Sequence, residues 1–205
     1  MKVLIKNILR RLINKSRRIT NSFGNDRKCY ICNRTFSHFT KFRGGSKGIP
    51  EFRKRLNIVG SDADNFGCMY CNSHDRERHL YMFFDKLKLW ERMKDAKILH
   101  FAAEKNLQTK IKEQSPMEYV CADLYPKNEG VKKMDATKIP FDEGELDIII
   151  ANHILEHIPD YSKALIEFYR VLKPGGIAIL QTPYSKLLKN NFEDVNINND
   201  ELRLF

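Results

Sequence analysis

No glycine occurs between Gly67 and Gly130. A glycine-rich loop that lets backbone amides close on a pyrophosphate is therefore absent from that stretch, which counts against a bound dinucleotide. Acidic residues are nearly missing from the first 60 positions, where 16 Lys and Arg stand against only Asp26 and Glu51, a balance of +14. The other 145 residues carry 20 Lys and Arg against 24 acids, a balance of −4. Such asymmetry gives the basic end a partner of its own: an anionic membrane surface, nucleic acid or a phosphorylated substrate. Long apolar runs are missing too. Leu4, Ile5, Ile8, Leu9, Leu12 and Ile13 recur at helical spacing but are interrupted by Lys2, Lys6, Arg10, Arg11, Lys15, Arg17 and Arg18. The pattern lacks the continuous apolar region of a secretory leader and falls short of a membrane span. It predicts a basic amphipathic helix that lies on a membrane surface, packs on its own protein or frays as a tail.

At 205 residues, 42% hydrophobic and 30% charged, the chain has room for one α/β domain and a small accessory module. Five cysteines are present, four of them in two pairs, Cys29 with Cys32 and Cys68 with Cys71, while Cys121 stands alone. Without a leader pattern, disulfides are disfavoured, and four thiolates in CxxC pairs suit tetrahedral Zn2+. Accidental pairing, a disulfide or an iron cluster are the alternatives. A site closed by four cysteines leaves no open coordination position, so the metal is expected to be structural. Arg76, Arg78 and His79 follow on the next helix, either as an anion-facing cluster or as a solvated face, and His74 or His79 could replace a cysteine ligand.

Residues 25 to 72 contain Gly44, Gly45, Gly48, Pro50, Gly60 and Gly67 and read as loop-rich. Leu80, Phe83, Phe84, Leu87, Trp90 and Met93 then predict one helix over 73–96, capped by Ser73 or Asp75. From residue 97, short apolar runs alternate with helical periods near 105–114 and 160–172, which implies a parallel sheet with crossover helices. The run Leu146–Ala151 reads as a strand buried on both faces. Pro174, Gly175 and Gly176 are expected to stop the last helix and turn the chain into a fifth strand.

The ordered residues Asp135, Ile139, Pro140, Phe141, Leu146, Asp147, Leu155, Glu156, His157 and the run LKPGG at 172–176 resemble the second half of a class I S-adenosylmethionine-dependent methyltransferase. With the cysteine pairs, the Arg/His-rich helix and the LHFAxE turn, the chain is similar to small bacterial methyltransferases of type 11 that carry an N-terminal zinc module. Some of these belong to surface-polysaccharide or secondary-metabolite pathways. The resemblance implies a Rossmann-like parallel sheet that lacks the last two of the usual seven strands. It divides the chain into a basic helix over 1–22, a zinc-binding module over 23–72, a connecting helix over 73–96 and a cofactor-binding domain over 97–205 that ends short.

In an open parallel sheet, ligands sit at the carboxyl ends of the strands where their order reverses. Glu104 is the candidate for the ammonium of S-adenosylmethionine, with His100, Phe101, Ala102 and Ala103 shaping the wall. Asp123, followed by Leu124, is placed to accept from the ribose hydroxyls. Asp135 with Ala136 resembles the family's adenine-contacting position. Asn152 and His153 are expected to line the pocket. His153 or His157 is the candidate base, with His153 preferred, and Glu156 and His157 share its side if the segment is helical.

The function read from these features is methyl transfer to a small-molecule or saccharide-like acceptor, with the zinc module as an acceptor-side lid. The alternatives are an RNA-modifying methyltransferase gripping RNA with its basic module, and a non-catalytic binding protein retaining the fold. A cytoplasmic location, peripheral to the inner membrane face through residues 1–20, completes the expectation.

Overall fold

The computed structural model describes residues 24–49 and 51–191. The basic helix expected over 1–22 and the polar end from residue 192 lie outside the described residues. Two compact units emerge, one holding 24–49 and 61–83, the other 51–60 and 84–191. These bounds differ from the 23–72 module, the 73–96 connector and the domain starting at 97. Residues 51–60 go with the second unit because β3 (Ile58–Val59) pairs antiparallel with β9 (Tyr184–Ser185).

The first unit contains little regular structure. Strands β1 (Arg27–Lys28) and β2 (Thr35–Phe36) form an antiparallel hairpin. Its core is Cys29, Phe36, Cys68 and Met69, with Ile31, Phe39 and Tyr70 packed against them. The Phe36 and Phe39 rings meet edge-on at 4.9 Å. Among the described residues this core is small.

Helix α1 covers Glu51–Arg55 and α2 covers Asp75–Lys86. The single helix expected over 73–96 is broken: Lys88 is left-handed at φ 55°, and a 3-10 turn follows over Leu89–Met93. The apolar spacing runs across two elements that bury different residues. Leu80 and Phe84 are buried on the first and Leu89 and Met93 on the second, whereas Phe83 and Leu87 are exposed. Nor does Asp75 act as the expected cap, since its Oδ2 accepts from the Asp62 amide in the preceding loop.

The second unit is built on a five-stranded parallel sheet of order β6-β5-β4-β7-β8. The strands are β4 (Lys97–Phe101), β5 (Glu118–Asp123), β6 (Val131–Lys133), β7 (Leu146–Asn152) and β8 (Leu172–Gln181). Helix α3 (Lys105–Glu113) connects β4 to β5, and α4 (Tyr161–Val171) connects β7 to β8. This is the Rossmann-like arrangement, and five parallel strands are present among the described residues. The chain steps outward from β4 to β6, then returns to add β7 on the other side. The strand order therefore reverses between β4 and β7, which places the ligand crevice at their carboxyl ends. One sheet face buries Leu99, Phe101, Val120, Ala122, Ile149 and Ala151 with Ala164, Phe168 and Val171 of α4.

Several family-like residues brace this sheet. Asp147 accepts from the Lys97 amide at 2.8 Å and from Lys173 Nζ at 2.8 Å, tying the start of β7 to its neighbours on both sides. The PGG turn lies inside β8 rather than before it. Leu146 pairs with Leu172 and Ile148 with Ile177, so the extra residues bulge outward, with Gly175 at φ 80°. Glu167 and Arg170 on α4 hold the IPF segment. Glu167 Oε2 accepts from the Ile139 amide at 2.8 Å, and Arg170 donates to the Ile139 and Phe141 carbonyls at 2.9 Å each.

The Arg170 hydrogen bond lowers the Glu167 pKa to about 2 against a smaller opposing effect of burial. A depressed carboxylate stabilises the fold above its unfolded pKa and loses that contribution as pH falls toward the folded value. Glu167→Gln is therefore expected to destabilise the protein by about 1–2 kcal/mol at pH 7. In urea unfolding followed from pH 7 down to pH 2.5, the gap between wild type and variant should narrow steadily below about pH 4.3.

Candidate functional site

At the end of β4 the chain turns without glycine. Ala102 takes a left-handed φ of 47°, a conformation that costs an ordinary residue about 1 kcal/mol. The turn is held by the Ala102 amide donating to the Ala122 carbonyl at 2.8 Å. Gln108 Nε2 donates to the Ala103 carbonyl at 2.8 Å. Glu104 then occupies the position before α3 but makes no capping bond with its side chain.

Its carboxylate turns back to the sheet instead. Oε2 meets Nε2 of His100 at 3.1 Å, and Oε1 accepts from Nδ2 of Asn152 at the end of β7. Burial pushes the Glu104 pKa up, but the hydrogen bond and charge of His100 and the Asn152 amide outweigh it, so the net shift is downward. Glu104 is held as an anion at the switch point, with its side chain 20% exposed. Phe101 departs from expectation. It packs in the core, 5.8 Å from the Phe168 ring, because strand alternation sends it to the face opposite His100.

The other carboxylates stand at the ends of the next strands. Asp123 closes β5, and its Oδ1 accepts from the Tyr125 amide at 2.8 Å, while Leu124 is exposed. Asp135 follows β6, is exposed, and accepts from the Thr137 amide and hydroxyl at 2.8 Å each, beside buried Ala136. The structure thus joins Glu104, His100 and Asn152 directly. The Asp123 and Asp135 carboxylates make only these local bonds among the described residues.

After β7, His153 is left-handed at φ 55°, fixed by its amide donating to the Gln181 carbonyl at 2.7 Å. Nδ1 of His153 lies 2.9 Å from Glu156 Oε1. A carboxylate only accepts, so Nδ1 carries the proton and Nε2 is left as the basic nitrogen. Residues Leu155–His157 form a 3-10 turn, and only Glu156 reaches back; His157 is exposed. Four polar atoms here are buried without a hydrogen-bond partner: Asn152 Oδ1, His153 Nε2, Glu156 Oε2 and Gln181 Oε1. Buried polar groups of this kind are costly unless a ligand or water meets them.

In the first unit, the four sulfurs of Cys29, Cys32, Cys68 and Cys71 lie within 4.8 Å of one another. Cys29–Cys71 and Cys32–Cys68 are each 3.7 Å apart, too far for disulfides. Each CxxC is followed by a left-handed asparagine, Asn33 at φ 58° and Asn72 at φ 56°. The Asn33 and Asn72 amides donate to the Cys29 and Cys68 carbonyls at 2.9 Å, so the two turns are near copies. The repeated CxxCN signature stands in the sequence and was the available signal for this symmetry. Arg78 is not anion-facing. It is buried, donates to the carbonyls of Asn65, Phe66 and Ser73, and covers the Phe39 ring at 4.0 Å.

The family described as a methyltransferase domain matches residues 96–180. The demethylmenaquinone methyltransferase of Staphylococcus carnosus (strain TM300) is 51% identical over 45 residues, covering 22% of this chain and 19% of the relative. The norajmaline N-methyltransferase of Rauvolfia serpentina is 30% identical over 96 residues, 43% of this chain and 33% of the relative. The solved YcgJ protein of Bacillus subtilis superimposes with a TM-score of 0.41 at 20% identity, over 49% of this chain and 50% of that one. The matches to those two relatives span about a fifth to a third of the relatives' length.

The His153–Glu156 pair makes a direct prediction. Nitrogen-15 NMR of the imidazoles should find neutral His153 with its proton on Nδ1, and Glu156→Gln should shift it toward the tautomer mixture of a free imidazole. An Nε2-protonated ring in the wild type would contradict the assignment.

Proposed function

We propose that this chain is an S-adenosylmethionine-dependent methyltransferase acting on a small-molecule or saccharide-like acceptor, with a structural zinc ion in its first unit. The observation that carries the reading is the Glu104 carboxylate, held between His100 and Asn152 where the strand order reverses, within a segment that matches a methyltransferase domain. The residues fit the cofactor's amino-acid end. An anionic carboxylate suits an ammonium, and Asn152 Oδ1 beside it is a buried acceptor in need of a donor. Asp123 and Asp135 stand at the following strand ends, where ribose and adenine donors would be met.

The cofactor supplies a methyl group already activated by a sulfonium. The protein's part is then to place and deprotonate the acceptor. His153 Nε2 is the atom for accepting that proton, and Glu156 stabilises the imidazolium that results. The left-handed turn at His153 presents the ring just past the strand end. With Phe101 in the core, the near wall is formed by Ala102 and Ala103.

The four cysteines fit zinc by their chemistry and spacing. Zn–S bonds of about 2.3 Å in a tetrahedron set the sulfurs about 3.8 Å apart. The observed 3.7 Å separations match that edge length. Four thiols gathered together, two of them buried, also favour a cation that can take them as thiolates. Ser73, fully buried, sits 3.1 Å from Cys71 Sγ and 3.5 Å from Cys29 Sγ, where its hydroxyl can support the cluster.

Calorimetric titration with S-adenosylhomocysteine is expected to give one site per chain, and Glu104→Gln should weaken it by about tenfold or more. No binding at millimolar ligand sinks the reading. Elemental analysis should find one zinc and no iron per chain, and Cys68→Ser should lose the metal and unfold the first unit; full retention of structure in the metal-free protein would remove the zinc proposal.

A further inference from the structure

We propose that buried His100 and half-buried Tyr119 form a strut whose task is to hold Glu104 in place for a ligand ammonium, replacing the backbone support that a glycine turn would give. This inference rests on the cofactor reading above and assigns two positioning residues within it.

His100 is completely buried in β4, on a sheet face that also carries Ile98, Cys121, Ile148 and Ile150. A polar ring in such surroundings must satisfy both nitrogens. It does so along one line: Nδ1 meets the Tyr119 hydroxyl at 2.8 Å and Nε2 meets Glu104 Oε2 at 3.1 Å. Tyr119 lies on β5, two residues before Cys121, which is the register partner of His100. The strand pairing therefore fixes the hydroxyl against the ring.

Proton positions follow from the ends of the chain of bonds. The carboxylate accepts, so Nε2 carries hydrogen. The Tyr119 hydroxyl bonds the other ring nitrogen, Nδ1. Burial pushes the Tyr119 ionisation far above its usual range, so the hydroxyl keeps its proton. Two elements rooted in the sheet thus dictate where one oxygen of Glu104 points, while Asn152 fixes the other. Neither His100 nor Tyr119 needs to touch a ligand. They act through the carboxylate, and the ligand class they select is one with a primary ammonium.

That selectivity provides the test. S-adenosylhomocysteine carries the amino-acid ammonium, whereas 5′-methylthioadenosine keeps the thioether nucleoside and lacks it. Affinities for both are measured by calorimetry on the full chain and on His100→Leu, His100→Gln and Tyr119→Phe. His100→Leu is expected to weaken S-adenosylhomocysteine by about tenfold or more and 5′-methylthioadenosine by less than about twofold. His100→Gln restores an N–H toward Glu104 and should recover most of the loss. Tyr119→Phe, which keeps the ring and its packing, should show the same selective loss in weaker form and covers the case in which His100→Leu fails to fold. Equal weakening of both ligands, or no weakening in Tyr119→Phe and His100→Leu alike, overturns the strut. A wild type that binds neither ligand overturns the cofactor reading itself, and the strut with it.

Discussion

A carboxylate can remain charged under burial only when hydrogen bonds replace the water it has lost, and the second unit is arranged around meeting that demand for Glu104. The order of the strands brings β4 beside β7, so the His100 ring and the Asn152 amide approach the same side chain from two strands. The Ala102 turn, left-handed and tied to Ala122, puts Glu104 over those two partners instead of letting it cap α3. The carboxylate takes the Asn152 amide nitrogen, and the amide oxygen is left buried without a hydrogen-bond partner. The local strain at Ala102, on the order of 1 kcal/mol, is offset by these bonds.

The opposite end of the sheet is built for rigidity. Asp147 binds across to Lys97 and Lys173, and Glu167 with Arg170 pins the IPF segment to α4. Asp147, the IPF segment and the LKPGG run, which carry part of the family resemblance, are therefore structural. Asp147 and the LKPGG run lie at the amino end of β7 and its register bulge, remote along the strand from Asn152. They fix the spacing of the strands whose other ends carry the chemistry. The same division holds in the first unit, where Arg78 gathers three loop carbonyls and leaves the sulfurs to the two turns.

Much of this was legible in the sequence because it depends on periodicity and local chemistry. The alternation after residue 97 gave five parallel strands, and helix α4 begins after its Asp160 cap, which accepts from the Lys163 amide at 3.2 Å. The paired cysteines announced their own cluster. Reading failed where two elements share one apolar spacing, as at Lys88, or where strand alternation decides which neighbour faces the crevice, as with Phe101. Tyr119 and Gln181 were invisible for a different reason: their roles arise only from register across strands, which no local pattern encodes. Glu156 was in view three residues after His153, but the 3-10 turn, not an α-helix, is what brings only that side chain back.

The central claim is that Glu104 is an anion prepared for a ligand's ammonium. A crystal structure of the protein grown with S-adenosylhomocysteine tests it most directly. The account predicts the ligand's amino group within hydrogen-bond distance of the Glu104 carboxylate, with the His100 and Asn152 contacts intact. A ligand bound elsewhere, or a Glu104 carboxylate turned away from it, would contradict the account.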